Sequence, residues 1–183
     1  MTRSSSITLN AAGLLAVALM LTAAFTAQLV RGELPCPLCL LQRILFAMLA
    51  IGPMLNIRFG SRPAHYALSL LAACAGAAVA MHQILLHIMP GDPGYGSAFL
   101  GYHYYTWAFI AFAAAIVLIG IALIVDTASG DETPATPAPV FARAAVFLVI
   151  GLTALNVIST LLECGLKACP DNPTFYELLQ RKP

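Results

Sequence analysis

Residues 34–57 read LPCPLCLLQRILFAMLAIGPMLNI. From Leu40 to Ile57 the run is apolar apart from Gln42, Arg43, Asn56 and a Gly-Pro pair. It shows no alternation of polar and apolar residues, which disfavours a β-barrel strand. About 20 helical residues cross the hydrocarbon of a bilayer, so the run is long enough to span it. Backbone groups in lipid must be satisfied within their own segment, and a helix does that. Working outward, four more runs have the same character: Ile7–Val30, Ala64–Met89, Tyr104–Val125 and Val140–Leu162. The first is longer than the h-region of a cleaved leader and reads as a span.

The rest of the composition agrees. Of 183 residues 60% are hydrophobic and 9% are charged, against about 25% charged in soluble domains. The net charge of +1 offers no field for a polyanion. A soluble globular domain, a disordered chain and a nucleic-acid binder are excluded on these grounds. The expected fold is all-α: a polytopic membrane helical bundle, five transmembrane helices around a four-helix core, forming a single membrane domain over residues 1–183. The connections Arg31–Cys39, Arg58–Pro63, Pro90–His103 and Asp126–Pro139 are too short for a further domain. Tyr102, Tyr104, Tyr105 and Trp107 read as an aromatic belt. Arginine and lysine counts alone do not fix the orientation. The basic Arg58–Pro63 connection and the Lys- and Arg-free Pro90–His103 connection favour a cytoplasmic N-terminus.

Five cysteines punctuate this frame. Cys74 lies mid-span among small residues and reads as a packing residue. The others form two pairs, Cys36/Cys39 before the second span and Cys164/Cys169 after the fifth. Five crossings put both pairs on one side of the membrane. Three chemistries suit such pairs: a four-thiolate zinc site, two structural disulfides, or redox exchange. Cys36-Pro37-Leu38-Cys39 opens a helix, whose N-terminus favours thiolate over thiol. Arg43 is one turn further on, on the Cys39 face. Buried arginine in a span costs roughly 2.5–3.5 kcal/mol at mid-bilayer, less near an end. Snorkelling to the interface would account for it. So would a role beside an electron acceptor that gains oxyanion charge. A zinc site would leave Arg43 unexplained.

Cys36-x-Leu-Cys39-x-x-x-Arg43, after a first span and opening a second, resembles the bacterial disulfide bond formation protein B (DsbB) family. The resemblance implies an inner-membrane, quinone-dependent oxidoreductase. It would reoxidise a periplasmic thioredoxin-fold dithiol oxidase, DsbA-like, and pass the electrons to ubiquinone or menaquinone. It implies Cys36, Cys39, Cys164 and Cys169 as catalytic residues and Arg43 and His82 as quinone-binding, with His87 a competitor for His82. No metal is expected, and both cysteine pairs are expected in the periplasm. Two departures stand out. Gln42 replaces the family's acidic residue before the arginine. The second pair follows an extra fifth span, whereas familiar members carry it between spans three and four. Relay would therefore require the tail to fold back over the first loop. Asn172-Pro173 followed by Thr174–Arg181 reads as a capped short helix, with Phe175, Leu178 and Leu179 toward the membrane surface. The competing readings are a vitamin K epoxide reductase-like redox protein, a non-enzymatic protein with structural disulfides, and a haem-binding subunit using His82, His87 or His103. His82 and His87 are five apart and share a helix face poorly.

Overall fold

The computed structural model describes residues 2–127 and 138–179. Helix α1 (Arg3–Val30) is followed by α2 (Pro37–Leu49) and α3 (Ile51–Phe59), then α4 (Pro63–Leu86). A two-residue hairpin, β1 (Ala98–Phe99) and β2 (Tyr102–His103), precedes α5 (Tyr104–Thr127) and α6 (Val140–Cys164). Among the described residues, five helical segments are long and apolar enough to cross a membrane, with α2 and α3 together making the second. The third span ends at Leu86, short of the expected Met89. Most of the expected Asp126–Pro139 linker lies outside the described residues.

The break in the second span has a local cause. Pro53 has no N–H to give to the Leu49 carbonyl four residues earlier. Ser69 on α4 supplies the missing donor, its Oγ donating to Leu49 O at 2.7 Å. A hydroxyl on the next helix thus repairs a proline break within the apolar layer.

The second span sits between α1 and α4, while α5 packs along α4 and α6 along α1. The core runs through Leu14, Leu21, Phe46, Ala73, Phe112 and Val149. Phe112 stacks on Phe46 at a centroid distance of 4.0 Å. It can do so because Gly76 leaves room; a Cβ there would lie 2.4 Å from the Phe112 ring. Small residues at such crossings let membrane helices approach closely. Outward faces carry Leu15, Leu19, Leu71, Val117, Leu118 and Phe147, exposed as a lipid-facing surface requires.

The connection between α4 and α5 is more ordered than the sequence suggested. Ala98 pairs with His103 and Phe99 with Tyr102. The two turn residues Leu100 and Gly101 both have positive φ, 51° and 83°, the geometry of a tight hairpin turn. Arg31 Nη1 donates to Ser97 Oγ, and Ser97 N donates to Glu33 Oε1 at 3.2 Å. These bonds clip the first and third connections together. Of the expected aromatic belt, Tyr105 turns inward and is buried, stacked against His103 and His87, while Tyr102 is exposed.

The tail also returns. Glu177 N donates to Glu163 O at 3.1 Å and Leu178 N to Leu162 O at 3.0 Å. The expected helix over 174–181 does not form in its described part; residues 177–179 make a turn. The amides of Glu177 and Leu178, which would make the first bonds within such a helix, are instead committed to the end of α6. Residues 180–181 lie outside the described range.

Candidate redox site

Cys36 is the N-cap of α2, in extended conformation, with Pro37 as the first helical residue. Proline is suited to that place because the first helical N–H has no intrahelical partner. The cap is the thiol sulfur itself: Cys39 N donates to Cys36 Sγ at 3.2 Å. Its pairing with Cys39, followed by burial, nevertheless holds the Cys36 thiol well above the usual thiol range. Cys36 and Cys39 are free thiols, whereas Cys164 and Cys169 are joined in a disulfide.

Gln83, from the last turn of α4, bridges the first pair. Its Nε2 donates to Cys36 Sγ at 3.3 Å and to Cys39 Sγ at 3.5 Å. Its Oε1 accepts from Gln42 Nε2 at 2.8 Å, which fixes the amide with its NH2 toward the sulfurs. Gln83 and Gln42 are both buried.

Arg43 is buried, its guanidinium turned toward α1. Nη1 donates to Gln28 Oε1 at 2.7 Å and Nη2 to Ala24 O at 3.1 Å. The group lies over the Phe25 ring, 5.2 Å from its centroid. Gln28 in turn donates through Nε2 to Ser159 Oγ at 2.7 Å and to Tyr176 Oη at 2.9 Å. Arg43 is therefore tied into the protein, not snorkelled into solvent, through one glutamine that also reaches α6 and the tail.

The two thiols face different spaces. Cys39, Gln42 and Arg43 line an apolar cavity of about 380 Å³, walled by Leu21, Ala24, Phe46, Tyr104, Tyr105 and Trp107. Cys36 lines a separate, more polar groove of about 760 Å³. Its other walls are Gln83, His87, Asp92 and Tyr95, with Asp171–Thr174 of the tail. Tyr95 lines both spaces and closes the rim by donating from its hydroxyl to Leu34 O at 2.7 Å. Burial pushes the Tyr95 phenol up, so it stays a donor. At the outer lip, Asp92 accepts from Gly94 N at 2.7 Å and pairs with His87 at 3.0 Å. The Gly94 amide, then His87, hold the Asp92 carboxyl below its usual range.

Of the residues the sequence singled out, Cys36, Cys39 and Arg43 come together, and the tail reaches the groove beside Cys36. His82 is not brought to the site. It is exposed on α4 and lines neither space; its neighbour Gln83 faces the sulfurs instead. His87 is at the outer lip, away from the Cys39 cavity. Cys74 is exposed on α4. Among the described residues no cluster of His, Cys, Asp or Glu could hold a metal.

Gln28, Gln83 and Glu163 were not anticipated. A signal was present: polar residues fall inside the apolar runs at one membrane level, closing spans one, three and five and opening span two.

Residues 6–95 match the family model described as disulfide bond formation protein DsbB. That segment holds α1 from its second turn through α4, and every residue of the Cys36–Gln83–Arg43 cluster. Through it, the first half of the chain is similar to the DsbB family. Disulfide bond formation protein B of Xanthomonas axonopodis pv. citri (strain 306) is 40% identical over 85 residues, 44% of this chain and 49% of that protein. Disulfide bond formation protein B 2 of Burkholderia lata is 41% identical over 91 residues, 49% of this chain and 54% of that protein. The chain thus spans about half the length of the curated relatives it matches. No solved structure is significantly similar to it. The DsbB match ends before α5, so α6 and the tail disulfide lie outside it.

Proposed function

We propose that this membrane protein is a thiol oxidase of the bacterial inner membrane. It takes electrons from a periplasmic thioredoxin-fold dithiol oxidase and delivers them to a membrane quinone. The observation that carries this reading is the division of the first pair. Cys39 looks into an apolar cavity with an arginine in its wall, and Cys36 into a polar groove shared with the tail.

The cavity suits a quinone head. Its volume lies within the range of small-molecule sites, about 300–1,000 Å³. Its lining is apolar and aromatic, and Arg43 and Gln42 supply donors for carbonyl oxygens. A bound quinone accepts two electrons and two protons. Arg43 would stabilise the negative charge that reduction places on an oxygen, and Gln28 holds the guanidinium in place. Gln83 holds both sulfurs and favours ionised sulfur by donating to it.

In the relay, the partner dithiol attacks the Cys164–Cys169 disulfide. The reduced tail pair then attacks the Cys36–Cys39 disulfide, and the regenerated Cys36/Cys39 dithiol is oxidised at the cavity. Two electrons and two protons move at each step, each exchange being thiolate attack on a disulfide. The test uses purified protein, a reduced thioredoxin-fold partner and a soluble ubiquinone analogue. One quinone should be consumed per partner disulfide formed. Disulfide formation that is independent of quinone would overturn the reading.

A further inference from the structure

The buried oxygen atoms without a hydrogen-bond partner, among the described residues, all belong to α6: Asn156 Oδ1 and both carboxylate oxygens of Glu163. Glu163 is fully buried, at 0% exposure. An ionised carboxylate with no donor is costly to bury unless it is neutralised by a proton or a nearby charge. Glu163 directly precedes Cys164 in the last turn of α6, and its backbone oxygen is held by the returning tail. No ion pair joins it to Arg43, whose own bonds go to neutral acceptors. Yet its field reaches Arg43 and Cys39 of α2 and Tyr95 of the third connection. α1 contributes the neutral Gln28 and the tail contributes Tyr176, both joined to the Arg43 network.

Arg43 thus lies within electrostatic reach of two groups able to carry its balancing negative charge, Cys39 and Glu163. We propose that Glu163 is the proton store of the first cysteine pair, protonated when that pair is reduced and ionised when it is a disulfide. This rests on the function proposed above and assigns it a positioning residue outside the DsbB-matched segment. In the oxidised state Glu163 carboxylate balances Arg43. When the tail dithiol reduces Cys36–Cys39, two electrons and two protons arrive. One proton goes to Cys36 and the other to Glu163, leaving Cys39 as the thiolate that balances Arg43. On reoxidation by a membrane quinone, the two electrons leave with the protons of Cys36 and Glu163, and the carboxylate reforms. The charge around Arg43 stays constant through the cycle, which a low-dielectric site strongly favours.

The test needs no quinone. Infrared difference spectra of quinone-free protein, reduced minus oxidised, should show a carboxylic acid carbonyl band absent from Glu163→Gln. Iodoacetamide should alkylate Cys39 at the same rate in reduced wild type and reduced Glu163→Gln at neutral pH, because both hold a neutral group at position 163 beside the thiolate. Glu163→Asp should alkylate at the wild-type rate. Faster alkylation of Glu163→Gln than of wild type, which would mean an ionised Glu163 in the reduced protein, or a wild-type spectrum without the band, would overturn the proposal. If Glu163→Gln fails to insert, the wild-type spectrum at pH values on either side of Cys39 ionisation decides alone. Failure of quinone-dependent turnover with these signals intact would instead overturn the proposed function.

Discussion

The bundle carries a buried polar network at each end, and the two differ in kind. At the end away from the cysteines, Asn56 Nδ2 donates to Asn10 Oδ1 at 3.0 Å, and Asn10 Nδ2 donates to Ser6 O at 2.8 Å. Asn56 Oδ1 accepts from Arg62 N at 3.2 Å and from His65 Nδ1 at 2.9 Å. Each amide there is matched donor to acceptor, and the network ties α1, α3 and α4 together. At the cysteine end the groups are charged or reactive: a guanidinium on neutral acceptors, a carboxylate on none, and thiols held by one amide. A satisfied network fixes a structure. An incompletely satisfied one, enclosed and next to a cavity, marks a place where charge is meant to change.

Substitutions should separate the two ends. The largest effect belongs to the tail: Cys164→Ser with Cys169→Ser should abolish partner oxidation while quinone still reoxidises Cys36/Cys39 after chemical reduction. Thiol trapping checks it. Full partner turnover in that variant would make the tail disulfide structural and the first pair the whole centre. Arg43→Ala comes next. Losing charged hydrogen bonds worth about 1.5–3 kcal/mol should raise the apparent quinone KM about tenfold or more. Steady-state rates at limiting quinone, with insertion confirmed in membranes, decide between this and a purely structural arginine.

At the other end, Asn56→Ala should cost about 1–3 kcal/mol by stranding Asn10, Arg62 N and His65. Its thermal unfolding in detergent should fall while quinone kinetics hold. A change in KM with stability intact would erase the distinction between the ends. Ser69→Ala is the mildest case, since hydrogen bonds between membrane helices average about 0.6 kcal/mol. It should lower the unfolding temperature slightly and leave both chemistries unchanged.

The five spans were legible because hydrocarbon imposes a length and forbids unpaired backbone, and both constraints are written in residue type alone. Cys36, Cys39 and Arg43 were legible because helical spacing fixes which residues share a face. Gln83 was not. A glutamine near a helix end has no chemical signature until the neighbouring helix brings two sulfurs to it, and His82, one residue away, carries the more familiar chemistry on the wrong face. Glu163 lies one residue past the apolar run Val140–Leu162, and no local pattern encodes the tail that folds back and bonds to its backbone. The hairpin at Ala98–His103 was missed for a related reason. Its turn, Leu100-Gly101, lacks the usual Asn-Gly or Asp-Gly signal, and the fold supports it through Trp107 Nε1, which donates to Phe99 O at 2.9 Å.

The backbone bonds from Glu177 and Leu178 to the end of α6 also have a kinetic meaning. They make the tail a tethered reagent. A loose tail disulfide would explore a large volume and meet Cys36 rarely. Held against the bundle end, with Asp171–Thr174 already in the Cys36 groove, a reduced tail pair would, under the proposed relay, meet the Cys36–Cys39 disulfide at an effective concentration in the millimolar range or above, as short tethers give. Under that relay a soluble partner would make one diffusive encounter per turnover, and the second transfer would be independent of how much partner is present.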